Sequence, residues 1–269
     1  QDDLDGNPEM IFYRHYVLDK LTHNMVCATA GSMTKSLIES FLCADGTPVA
    51  LNKDYSDETM QDELKDRDPR LQQICIYPGT THHQVNIGKP GIPGTASNNT
   101  STGYQLLKYY REDQVLMNAR NYTDAPVFRY AETLLNLAEA AYELGKNGEA
   151  LDAINQIRER AGIASLKEIS QDKIRHERKV ELAFEGHRYW DVRRWRTATT
   201  ELSRSFSGLR YILDYSSYTD DEKKYKLEIL DNIDGSVSAP LFKEENYYLP
   251  ITLSRTSSNP NMVENPGYK

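Results

Sequence analysis

Three glutamates, four arginines, one lysine and both tryptophans of the chain fall within nineteen residues, ERKVELAFEGHRYWDVRRW, from Glu177 to Trp195. Carboxylates so close in sequence could do acid–base chemistry. Glu181 or Glu185 flanking a glycosidic bond would make a glycoside hydrolase. A general acid needs a raised pKa, however, and each glutamate here has an arginine within a turn or two, which keeps carboxylates ionised. The pattern therefore predicts a structural ion-pair lattice made by Glu177, Glu181, Glu185, Arg188, Trp190, Asp191, Arg194 and Trp195. Trp190 and Arg194 are four apart, a spacing that lets a guanidinium stack on an indole. Val180, Ala183, Phe184 and His187 form the apolar side. Glu181, Glu185, Arg188 and Trp190 are expected to be buried and mutually bonded.

Other reactive residues form no constellation. Cys27, Cys43 and Cys75 are odd in number and widely spaced, with no CxxC pair, which predicts buried thiols and no zinc site. His82 and His83 are adjacent but lack a third ligand at a fixed spacing, so no metal is called for. No pattern calls for a cofactor. Tyrosine is abundant, 18 against 6 Phe and 2 Trp. Sugar rings present an apolar face and a hydroxyl rim, which aromatic platforms edged by polar groups satisfy. With both tryptophans committed to the charged stretch, the candidate ligand-binding residues are Tyr13, Arg14, His15 and Tyr16, leading into LDKLTHN, and Tyr77, His82, His83 and Tyr104.

These residues must be positioned by the elements around them. NPEMIFYRHYVL reads as a turn and a β-rich run. TKSLIESFLC predicts a helix capped by Thr34, with Leu37, Ile38, Phe41 and Leu42 on one face. SDETMQDELKDRDPR predicts a short polar helix ending before Pro69, and LQQICIYPG a strand. Residues 79–103 are rich in Gly, Pro, Thr, Ser and Asn and read as a long loop. YQLLKYY returns as a strand. Residues 127–162 carry two apolar helical stripes, Leu134, Leu137, Ala138 and Ala141, then Ala150, Leu151, Ile154 and Ile157. Gly145 and Gly148 lie between them. The spacing matches a tetratricopeptide unit. SLKE at Ser165–Glu168 is a capping-box pattern, and one long helix is expected over about 170–196. GLRYILDYSSY and ENYYLPI read as strands or extended segments. The elements read here are a tetratricopeptide-like hairpin and a long helix, with loop-rich regions and a few short strands, and the length allows one large domain or two small ones.

Composition narrows the partners. The net charge of −8 with no basic run makes nucleic acid an unsuitable ligand. No apolar run reaches the roughly 20 residues that span a bilayer. The acidic start, QDDLDGNPEM, is no signal peptide. A single repeat unit buries only part of its surface, so Gln1 is expected to be an internal residue of a longer protein.

ERKVELAFEGHRYWDVRRW resembles the signature of the SusD/RagB family. YAETLLNLAEAAYELG followed by ALDAINQIRERAGI resembles the helical hairpin that precedes it there. SLIESFLCADGTP, DRDPRLQQICIYPG and the closing YYLPITLSRTSSNPNMVENPGYK are similar to other family segments, in the same order. The resemblance implies a surface-exposed outer-membrane lipoprotein of Bacteroidetes, held by an N-terminal lipid whose cysteine is not in this chain. It implies non-catalytic binding of oligo- or polysaccharides and their delivery to a SusC-like TonB-dependent transporter. It also implies a mainly α, SusD-like architecture and that residues 1–269 are a single region, the C-terminal portion of such a protein. From the repeat unit alone, a helical-repeat adaptor that binds peptides or proteins remains an alternative.

Overall fold

A computed structural model describes residues 4–23, 32–58, 60–76, 102–109, 111, 114, 119–203, 206–213, 225–231 and 241–268. Cys27, Tyr77, His82, His83 and residues 79–101 lie outside them. In chain order the elements are β1 (Met10–Arg14), β2 (Ser32–Met33), α1 (Lys35–Ile38), α2 (Met60–Glu63), α3 (Pro69–Ile74), β3 (Cys75–Ile76), β4 (Tyr104–Leu106), β5 (Ala125–Arg129), α4 (Tyr130–Glu143), α5 (Asn147–Ala161), α6 (Gln171–Glu181), α7 (Arg188–Arg194), α8 (Ala198–Glu201), β6 (Gly208–Leu213), β7 (Tyr225–Leu230) and α9 (Leu253–Ser258). Helix dominates. The strands form a β1–β5 pair, a three-stranded β2–β4–β3 sheet and a β6–β7 pair. Among the described residues, no helix is long and apolar enough to cross a membrane.

The helical hairpin stands where its periodicity places it. Leu134, Leu135 and Ala138 of α4 meet Ala153, Ile154 and Ile157 of α5, joined by Ile174 and Leu182. Small residues let the two backbones approach. Gly145 ends the first helix with φ +73° and Gly162 the second with φ +75°, conformations that suit glycine. Leu137, expected in the stripe, is 47% exposed; Leu135 takes the core position instead.

A second core gathers Met33, Ile38, Phe41, Leu64, Leu71, Ile74, Cys75, Tyr104 and Leu106 with Val180 and Ala183. α6 and the residues just after it thus feed both cores: Ile174 and Leu182 face one, Val180 and Ala183 the other. Cys43 and Cys75 are buried, and burial pushes the Cys75 thiol well up.

Several local expectations fail for identifiable reasons. The long helix over 170–196 is two helices, α6 and α7, because Phe184 (φ +64°) and Gly186 (φ +82°) turn the chain into the left-handed region. The short polar helix forms as α2 and ends at Glu63, before Pro69, which itself opens α3 at its first position, the Asp68 side chain accepting from the amide of Arg70 at 3.0 Å. LQQI is therefore helical, and among the described residues of this stretch Cys75–Ile76 extend as a strand. Ser170, not Ser165, caps α6, accepting from the Lys173 amide at 3.3 Å. Glu244–Tyr247 form a 3₁₀ turn in place of a strand. Strand β7 carried no expectation; β6 matches GLRYIL.

Candidate functional site: a buried ion lattice beneath an aromatic cleft

Glu177 and Glu181 lie four apart on α6, both at most 5% exposed. Their partners come from distant elements. Arg70 of α3 donates to Glu177 at 2.7 Å and to Glu181 at 2.8 Å, while also holding Asp68. Arg158 of α5 donates to the other oxygen of Glu177 at 2.8 Å. Arg129, the residue joining β5 to α4, donates to Glu181 at 2.7 Å, to Glu185 at 2.7 and 2.8 Å, and to Glu9 at 3.1 Å. Arg160 adds a further bond to Glu181. Buried charges are tolerated only when paired and hydrogen-bonded this fully.

Burial alone would raise the Glu181 carboxyl, but Arg129, Arg160 and Arg70 outweigh it and hold it below the ordinary carboxylate value. At Glu185 burial is likewise outweighed, by Arg129 and Lys108. Both are held as anions, the reverse of the raised pKa that a glycosidase acid requires.

Five members of the expected lattice stand elsewhere. Arg188 is about one-third exposed and pairs with Glu201 at 3.0 Å, bonding to none of the three glutamates. Trp190 is 60% exposed; it follows the turn that the single-helix expectation did not include. Arg194 lies 4.7 Å from the Trp195 ring centre, not over Trp190, which instead takes Arg193 at 5.5 Å. Asp191 is buried, accepting from Arg178 at 2.7 Å and Arg194 at 3.0 Å. Trp195 donates its indole N–H to Glu139 at 2.8 Å.

The lattice fixes the turn between α6 and α7. Arg129 donates to the Glu181 carbonyl, and Lys108 donates both to the Ala183 carbonyl and to Glu185. Phe184, between these anchors, is left 37% exposed. Tyr109 follows Lys108, also with positive φ (+67°), and its hydroxyl lies 3.4 Å from the Phe184 carbonyl.

Together with the chain after β1, these rings line a cleft of about 230 Å³. Its walls are Tyr16, His23, Tyr109, Thr123, Asp124, Ala125, Pro126, Phe184 and Glu185. Asp124 holds that chain in place. It accepts from the backbone amides of Tyr16 at 2.8 Å and Leu4 at 3.1 Å, and pairs with His15 at 3.0 Å. Burial would raise its carboxyl, but these bonds more than offset it and hold it low. Tyr16 and His23 meet edge to face, ring centres 4.7 Å apart.

Of the residues singled out in the sequence, Tyr16 therefore lines the cleft. His15 stands beside it through Asp124, and half-buried Tyr13 meets His15 edge-on at 6.2 Å. Arg14 is exposed at the strand end. Tyr104 is no platform. It is 0% exposed, and its hydroxyl donates to Glu63 at 2.7 Å inside the core; the strand it occupies turns it inward. Tyr109 and Asp124 carry no signal as cleft residues in the sequence, and Phe184 reads there as apolar helix face, because no local spacing links positions so far apart.

The SusD family model matches residues 3–268, and the chain belongs to that family. The starch-binding protein SusD of Bacteroides thetaiotaomicron is 28% identical over 190 residues, which cover 69% of this chain and 30% of that protein. SusD-like protein P38 of Formosa agariphila is 36% identical over 100 residues, 32% of this chain and 20% of that one. A SusD-like protein of Bacteroides fragilis has the same fold, with a TM-score of 0.74 at 24% identity over 98% of this chain and 55% of that chain. A SusD-like carbohydrate binding protein of the same species gives 0.70 at 26% identity, over 95% and 54%. The chain thus spans about half of these solved relatives and less than a third of the curated ones.

Proposed function

We propose that the protein is a non-catalytic, cell-surface glycan-binding component that hands oligo- or polysaccharides to a SusC-like TonB-dependent transporter of the outer membrane. The observation that carries this reading is the family match over nearly the whole chain, alongside a likeness to a starch-binding relative and to a carbohydrate-binding one. An open aromatic cleft beside the first strand supplies surface of the kind that sugars use. Glu181 and Glu185, the carboxylates best placed by sequence for hydrolysis, are locked in arginine pairs. An N-terminal lipid outside this chain would hold the protein at the membrane.

The test uses the full-length protein. Calorimetry and affinity electrophoresis against a panel of polysaccharides and peptides should find glycan binding. Co-purification from membranes should bring the transporter with it. Binding of peptides alone would favour the helical-repeat adaptor instead. Release of reducing ends that disappears in Glu185→Gln would mean an enzyme.

A further inference from the structure

We infer that the cleft between Tyr16, Tyr109 and Phe184 is a subsite for a single uncharged sugar ring, an inference that rests on the glycan-binding reading above. Three independent features point there.

The first is strain. Tyr109 and Phe184 both hold left-handed backbone, at φ +67° and +64°, a conformation that bulky residues rarely adopt. Strain of this kind persists only where the surroundings impose it, and it concentrates at ligand clamps. Here the surroundings are the Arg129 and Lys108 bonds to the turn. The strain is not offset by deep burial of the Phe184 ring, which is 37% exposed. A ring held at that conformation and left open to solvent is arranged to meet something else.

The second is size. About 230 Å³ falls below the roughly 300–1,000 Å³ of sites that enclose a drug-sized ligand. One sugar ring of a longer glycan fits that space better than several.

The third is charge. The cleft lining includes two carboxylates, Asp124 and Glu185, and no Lys or Arg. Both carboxylates have their own partners, so they act as fixed acceptors. Sugar hydroxyls can donate to such acceptors. A uronate or sulfate group would find no Lys or Arg in the lining to pair with, only two carboxylates whose own partners are already engaged, on a chain whose net charge is −8.

The test compares the full-length protein with Phe184→Asn and Tyr109→Asn. Asparagine takes left-handed backbone far more readily than an aromatic residue, so each variant removes a ring and relieves strain together. The probes are neutral polysaccharides (amylopectin, laminarin, xyloglucan, mannan) and polyanionic ones (polygalacturonate, alginate, dextran sulfate). Binding is read by calorimetry and stability by urea unfolding. The expected result is binding of a neutral polysaccharide only, weakened by at least about fivefold in each variant, as loss of a stacking platform implies. Stability should be equal to the parent or higher.

Other results overturn it separately. Variants that bind with parental affinity would place the sugar elsewhere while leaving the glycan reading intact. A preference for polyanions would sink the charge argument. Variants that lose stability along with binding would make the two rings packing groups. A parent that binds no probe of either class would sink the glycan-binding reading itself.

Discussion

Arg129 reaches three carboxylates, of Glu9, Glu181 and Glu185, as well as the Glu181 carbonyl. Arg129→Met should leave buried charge underpaired and destabilise the fold by about 3–5 kcal/mol, the usual result of breaking a buried pair from one side. Arg188→Ala should shift stability by no more than about 1 kcal/mol, because its pair with Glu201 is open to water. Urea unfolding of both variants decides this, and equal losses would mean that the lattice is drawn wrongly. The three glutamates could be picked out of the sequence by their spacing. Their partners could not: Arg70 lies 107 residues from Glu177 and Arg129 lies 52 from Glu181. Local spacing on a helix suggested Arg188 instead, and the turn at Phe184 carries that side chain away.

At the level of elements, the hairpin α4–α5 was legible because its apolar residues recur at helical spacing and glycines close both helices. The division between α6 and α7 was not, since nothing in AFEGHR except Gly186 argues against helix. That glycine has φ +82°, and an added Cβ would meet nothing within 4 Å. Gly186→Ala should thus be destabilising through backbone strain alone, by about 1–2 kcal/mol. Gly148, within α5 and equally unobstructed, predicts the opposite sign. Gly148→Ala should stabilise by about 0.4–1 kcal/mol, chiefly by narrowing the unfolded ensemble. Thermal melts of the pair report on the two backbone conformations without touching the cleft.

Across the whole molecule, the lowered carboxyls set the response to acid. Glu181, Glu185 and Asp124 all have folded-state values below their ordinary ones. Their stabilisation is fully present above the ordinary values, 4.5 for Glu and 3.8 for Asp, and is lost as pH falls through the depressed folded values. Glu63 opposes them, because burial raises its carboxyl, so that its contribution is lost as pH rises. Unfolding free energy measured in steps from pH 7 downward should fall below about pH 4.5. A flat profile to pH 3 would contradict the lattice. The fold class was readable from composition, periodicity and motif order, whereas the cleft was not, because its walls come from four separate stretches of chain. The lattice has one more consequence, for the order of events in folding. The hairpin α4–α5 can form from neighbours in sequence, whereas Arg129 must find a glutamate 120 residues upstream as well as two downstream. Contacts of such span close late, after the loop entropy between them has been met. Arg129→Met should therefore hasten unfolding while leaving the refolding rate nearly unchanged, the kinetic mark of a group that joins the structure after the rate-limiting step. The arginine that holds the finished protein together would be absent from its nucleus.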